Sequence, residues 1–240
     1  MKINRYVVVS QDANNTVVSG WERTASHLNP RCTADLDPPL APSSKSRASL
    51  EFQAGVIDLI KSHPASSFVF CGPAGHGKTF MVNRLYRLAM IQTYAESVAK
   101  KTFLFDAWNK SVFRSHVADL LEEHQAWSTR GFDESKPVKP SITNEKIRTC
   151  PFRPRVFLTE FGRIGNATDT RQKVIFGILD AVNDYYGQLV VDSNLTPKEI
   201  EDIYGEKDMR RMRQMAWFVN YFDSKITPPM EEEEVTRVEV

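Results

Sequence analysis

No apolar run in this 240-residue sequence approaches the roughly 20 residues a helix needs to span a bilayer, so no membrane partner is expected. The apolar stretch within Met1–Ser10 is too short to read as a secretory signal. Cysteine is scarce. Cys32, Cys71 and Cys150 are odd in number and lack metal-ligand spacing. They speak against a disulfide framework or a thiolate metal centre, and for reduced thiols in a cytoplasmic setting. A surplus of one charge is missing too: 31 Lys and Arg balance 30 Asp and Glu, for a formal net charge of +1. No global field therefore steers the chain toward nucleic acid, and any such contact has to come from a local patch. What remains, 41% hydrophobic and 25% charged residues, suits a soluble globular protein with room for one sizeable α/β core.

Against that ordinary background one segment is specific. Gly72-Pro73-Ala74-Gly75-His76-Gly77-Lys78-Thr79 fits the phosphate-loop pattern G-x-x-x-x-G-K-[ST] in full, with an extra glycine at Gly75. Its flanks agree. Ser67-Phe68-Val69-Phe70-Cys71 reads as a short buried strand, with Cys71 a core residue, and Phe80 onward reads as a helix. The glycines let backbone N–H groups curl around a phosphate at the positive end of that helix. Lys78 is expected to reach the β- and γ-phosphates, and the Thr79 hydroxyl to hold Mg²⁺.

Along the chain, residues 1–45 form a polar extension rich in Pro, Asn, Ser and Thr, too sparse in apolar residues for its own core. Residues 46–225 are expected to form the nucleotide-binding domain, and residues 226–240 an acidic tail. Within the domain, helical spacing is read over Arg47–Ser62, Ser111–Trp127, Arg171–Tyr186 and Pro197–Tyr204. The last of these has Thr196 and Glu199 at capping-box spacing and Gly205 as its stop. Strands are read at Thr102–Phe105, Arg155–Glu160, Gln188–Asp192 and Trp217–Phe222. Gly131–Cys150, with its prolines, reads as a mildly basic, mobile loop. Strands alternating with helices predict an α/β fold: a parallel sheet with helices on both faces.

A phosphate loop needs further groups before it can do chemistry: a carboxylate for metal or water, and a cation for departing charge. Glu160, ending its strand where the phosphates should lie, is the candidate for polarising water. Asn194, at the tip of the next strand, can orient water or touch the γ-phosphate. Arg210, Arg211 and Arg213 fall on a short basic helix, either a solvated face or a cation for a neighbouring subunit.

The order of that loop, then Phe157-Leu158-Thr159-Glu160-Phe161-Gly162, then Ser193-Asn194-Leu195-Thr196, then Gly205-Glu206-Lys207-Asp208-Met209-Arg210-Arg211-Met212, resembles the AAA+ ATPases of the DnaC/IstB type. These are replicative helicase loaders and the ATP-binding helpers of insertion-sequence transposition. The resemblance spans about Arg47 to Phe222 and implies a P-loop NTPase of the ASCE class, with ATP and Mg²⁺ as cofactors. It implies Lys78 and Thr79 as Walker A groups, Glu160 as the catalytic glutamate of Walker B and Asn194 as sensor one. Arg211 stands where such proteins present an arginine to the next subunit's ATP. The partners so implied are other copies of the chain, and DNA, a helicase or transposase, or both. Local basic residues for DNA are Lys100, Lys101, Lys136, Lys139, Lys146 and Arg148.

Two positions depart from the pattern. Thr159 stands where the family has an aspartate, so only a hydroxyl is offered there to Mg²⁺. Lys207 stands where arginine is common. The extension at the front shows no match to a helicase-binding domain. Slow hydrolysis, or ATP binding used as a switch or scaffold without turnover, is therefore the second expectation. A small-molecule kinase with Asp106 binding the acceptor is the third, and it leaves the Ser193-Asn194 run unexplained.

Overall fold

Five consecutive residues, Ser67–Cys71, are buried on both sides and form an interior strand, β1. The structure, a computed structural model, describes residues 48–100, 110–129, 140–162 and 169–230. Helix α1 (Leu50–Ser62) precedes β1, its first turn capped by the Ser49 hydroxyl accepting from the Phe52 N–H at 3.2 Å. Val56, Ile57 and Ile60 form its buried face. After β1 come α2 (Lys78–Ala99), β2 (Val112–His116), α3 (Val117–Thr129) and the short α4 (Asn144–Arg148). Then follow β3 (Arg155–Phe161), α5 (Asp169–Asp184), β4 (Gln188–Ser193), α6 (Pro197–Tyr204), α7 (Glu206–Met215), β5 (Ala216–Asn220) and β6 (Lys225–Thr227).

The six strands lie in the order β2-β3-β4-β1-β5-β6. All neighbours pair in parallel except β6, which runs antiparallel to β5 and carries the ordered sheet past residue 225. Strand alternation divides the core in two. Val69, Val156, Leu158, Leu189 and Val191 face Leu120, Ile175, Ile178 and Leu179. Phe68, Phe70, Phe157, Val190 and Val219 face Val56, Ile57, Ile60, Val82 and Leu85. Each of these large side chains contributes about 1.5–3 kcal/mol by leaving water. A sheet covered on both faces leaves ligands only the strand ends, and the loop after β1 sits at the carboxyl ends.

Two local expectations fail. The helix expected from Ser111 begins only at Val117. Val112–His116 instead pairs with β3 from Val112 beside Arg155 to His116 beside Thr159. A buried edge position beside β3 overrides the helical spacing of Val112, Val117, Leu120 and Leu121. The segment expected as a mobile loop is docked from Pro140 onward: Ile142 and Ile147 are fully buried, and Thr143 caps α4. The strand expected at Thr102–Phe105 lies outside the described residues, as do Lys101, Asp106, Lys136 and Lys139.

Candidate nucleotide site

The loop from Gly72 to Gly77 joins the end of β1 to the first residue of α2, which is Lys78 itself. Gly75 and Gly77 have φ of 83° and 89°, a conformation that side chains with a Cβ rarely adopt, so the turn needs glycine at both. Pro73, Ala74 and His76 complete the curl, and the His76 ring meets Tyr221 edge-on with centroids 6.5 Å apart. Tyr221, held by its N–H to the Cys71 carbonyl at 2.7 Å, and Phe52, packed against it at 5.2 Å, form an aromatic wall beside the loop. From the sequence alone Tyr221 is only part of an expected closing strand, and Phe52 carries no signal of this contact.

The Lys78 ammonium is buried at the loop. Its three protons meet three acceptors: the carbonyls of Gly72 at 2.6 Å and Pro73 at 2.8 Å, and Asn194 Oδ1 at 2.9 Å. The last of these joins the first and the third of the sequence motifs across 116 residues. Burial pushes the Lys78 pKa below its ordinary value, while Asp192 and Cys71 pull it back up. The Cys71 thiol is itself pushed up to about 12 by burial, against the pull of Lys78, and is no nucleophile at neutral pH.

Thr79 Oγ1 donates to Asp192 Oδ2 at 3.0 Å. Asp192 Oδ1 in turn accepts from the Glu160 N–H at 2.8 Å. Asp192 belongs to no motif in the sequence, where Asn194 two residues on is the expected group; its one sequence signal is a second carboxylate at a strand end. Thr159, the other expected metal group, is not brought to Thr79. Its hydroxyl lies 2.8 Å from His116 Nδ1 and 3.4 Å from the Ser115 carbonyl, on the side of β2. The cause is strand geometry. Pairing of β3 with β4 shifts between Leu158 and Phe161, and Glu160 takes up φ of 55°. That bulge places Thr159 and Glu160 against one residue, Asp192. A non-glycine residue at positive φ costs about 1–3 kcal/mol and persists only where neighbours fix it.

The arginine helix is placed differently from the loop. Arg211 pairs with Asp180 of α5 and lies 5.1 Å from the centre of the Phe176 ring. Lys207 stands over the same ring at 4.1 Å. Arg213 pairs with Glu201 at 3.2 Å, and Arg210 is exposed. Among the basic residues considered for DNA, Lys146 is spent on the Pro140 carbonyl at 2.6 Å and Lys100 lies over the Phe152 ring.

The donor set suits magnesium: a hydroxyl and a carboxylate are hard oxygen ligands, to be completed by phosphate oxygens and water. Among the described residues no three His, Cys, Asp or Glu side chains gather to hold an ion unaided. A cavity of about 360 Å³, lined by Ser66, Ser67, Arg153, Tyr186 and Met215 among others, lies at the opposite end of the strands. It is remote from this chemistry.

No protein-family model and no curated protein match the chain. Solved structures do. The chain is similar to the DnaC helicase loader at 14% identity and a TM-score of 0.52, covering 80% of this chain and 99% of that one. It is similar to the replication initiator DnaA bound to AMPPCP and single-stranded DNA at 14% identity and a TM-score of 0.52, over 81% of this chain. A DNA replication initiation factor matches at 14% identity and 0.51, again over 81%. The chain spans only 50% of the length of each of these last two. No helix among the described residues is long and apolar enough to cross a membrane. The chain shares its fold with these solved structures: an α/β P-loop NTPase fold, here with a mostly parallel six-stranded sheet.

Proposed function

We propose that the chain is an Mg²⁺-dependent AAA+ ATPase that works on DNA, or on a DNA-bound partner such as a helicase, in replication. The observation that carries this is the meeting of Lys78 with Asn194, and of Thr79 and Glu160 through Asp192, at the carboxyl ends of β1, β3 and β4. Lys78 exchanges loop carbonyls for phosphate oxygens, Thr79 holds the metal, and Asn194 stands where it can sense the γ-phosphate. Glu160 polarises the attacking water. Magnesium, when bound, neutralises the charge that builds on the phosphates.

The replication role leans on the helicase loader and the initiator as structural neighbours; a transposition helper is the alternative task for the same machine. Copies of the chain assemble through their nucleotide sites. Arg211 can bridge to a neighbour only by leaving Asp180 and Phe176, so exposed Arg210 on the same helix is the better-placed cation. The proposed ATPase unit starts at about residue 46 and includes β6, so its end moves from the expected residue 225 to at least Thr227, between a polar extension and an acidic tail.

Purified full chain is expected to bind ATP with magnesium, to release phosphate, and to grow in mass by light scattering when ATP and DNA are present. Lys78→Ala is expected to weaken ATP binding at least about 100-fold, since it removes a buried cation placed to meet the phosphates. Equal binding by the wild type and Lys78→Ala would refute the site. Binding without phosphate release, with and without DNA, would turn the assignment to the non-hydrolysing switch.

A further inference from the structure

Resting on that reading of the site, we propose that Asp192 of β4 is the carboxylate that serves the magnesium ion, replacing the acid that Thr159 lacks at the end of β3. The Thr79 hydroxyl has a single proton, and the structure gives it to Asp192 Oδ2 at 3.0 Å. A hydroxyl that donates to a carboxylate is left with its lone pairs directed elsewhere and made more electron-rich, the condition in which it ligates a cation. Asp192 is only 4% exposed, so its charge acts where water screens little. Its two oxygens meet two different parts of the site, the loop helix through Thr79 and the bulge of β3 through the Glu160 N–H at 2.8 Å. A carboxylate has about four lone-pair positions, and these two donors account for two of them. The others are available to the water shell that magnesium keeps when bound to a triphosphate.

Thr159 does none of this, because its hydroxyl is engaged with His116 at 2.8 Å. The register explains how the acid moved. Val191 lies beside Leu158, and the next residue of β4 faces two residues of bulged β3 before Ser193 meets Phe161. A carboxylate on the neighbouring strand thus reaches the hydroxyl that ends the loop, and negative charge is restored without an acid at position 159. A non-hydrolysing switch then needs a ground other than Thr159.

The test measures affinity of the full chain for a fluorescent ATP analogue in excess magnesium and in EDTA, a readout independent of turnover. Wild type is expected to bind about tenfold or more tightly with magnesium. Asp192→Asn keeps the shape and an acceptor for the Glu160 amide. With one negative charge fewer beside the phosphates it should bind at least as well as wild type in EDTA, and it should lose most of the magnesium gain, as losing a metal-orienting group costs about 10–100-fold in metal affinity. Thr159→Val should keep the full gain. Retention of the gain in Asp192→Asn, or its loss in Thr159→Val, overturns the assignment. Should Asp192→Asn fail to fold by circular dichroism, Thr159→Val decides: loss of the gain overturns the assignment and full retention supports it. A wild type that binds equally in both buffers sinks only the magnesium assignment. One that binds in neither sinks the nucleotide site with it.

Discussion

The two strand ends that meet at the phosphate loop are built in opposite ways. The end of β3 is irregular: its pairing slips, Glu160 sits at φ of 55° and Gly162 follows at 89°. The end of β4 is regular, and Gln188–Ser193 is buried throughout. Yet the irregular end carries Glu160, the residue proposed to polarise water, and the regular end carries the side chains that hold it there. Asp192 takes the Glu160 amide, and Ser193 Oγ donates to the Phe161 carbonyl at 2.6 Å. A strained backbone at a reactive residue needs a neighbour that over-determines it, and β4 is that neighbour. The division of labour can be broken from either side.

The largest effect is expected on β3. Glu160→Gln keeps size and hydrogen bonding but cannot take a proton from water. It should lower phosphate release about 10²–10³-fold while ATP affinity changes by less than about threefold. Single-turnover kinetics beside a binding titration separate the two quantities. Unchanged release would mean that the bulged end does not polarise water, and the contrast between the strands would lose its chemical half.

What the sequence made legible is what local pattern encodes. The loop, the buried run of β1 and the capping box at Thr196 and Glu199 all depend on residues within a few positions of one another. Glu160 and Asn194 were legible as polar groups at strand ends. Asp192 was not, although its type and position were in view, because its role depends on a slip in the pairing of β3 with β4. A slipped pairing is a property of two strands. The same holds for β2: Val112–His116 is a strand because β3 lies beside it, and its own spacing mimics a helix. Arg211 is the reverse case. Its motif position was legible, but its pairing with Asp180 and Phe176 comes from α5, about 30 residues away in sequence.

A middle-sized effect is expected where the two ends touch. A Cβ added to Gly162 would lie 2.3 Å from Leu195 Cδ1, beyond β4, and would sit at a φ that favours glycine. Gly162→Ala should therefore cost about 2–3 kcal/mol in urea unfolding, lowering the midpoint at unchanged slope. A neutral result would mean that the β3 turn relaxes freely and that β4 does not fix it.

The smallest effect sharpens the comparison most. Ser193 Oγ donates to the Phe161 carbonyl and accepts from the Leu195 N–H at 3.1 Å, all at a residue 1% exposed. Ser193→Ala removes both bonds without filling new space, at a cost of about 1–2 kcal/mol. Because the Phe161 carbonyl follows the bulge directly, a β4 that positions Glu160 should also transmit the loss to catalysis. Phosphate release is then expected to fall about three- to tenfold with ATP affinity unchanged, a misplacement effect well below that of removing the glutamate. A stability loss with full turnover would assign the positioning of Glu160 to Asp192 alone, and would reduce Ser193 to a staple between strands.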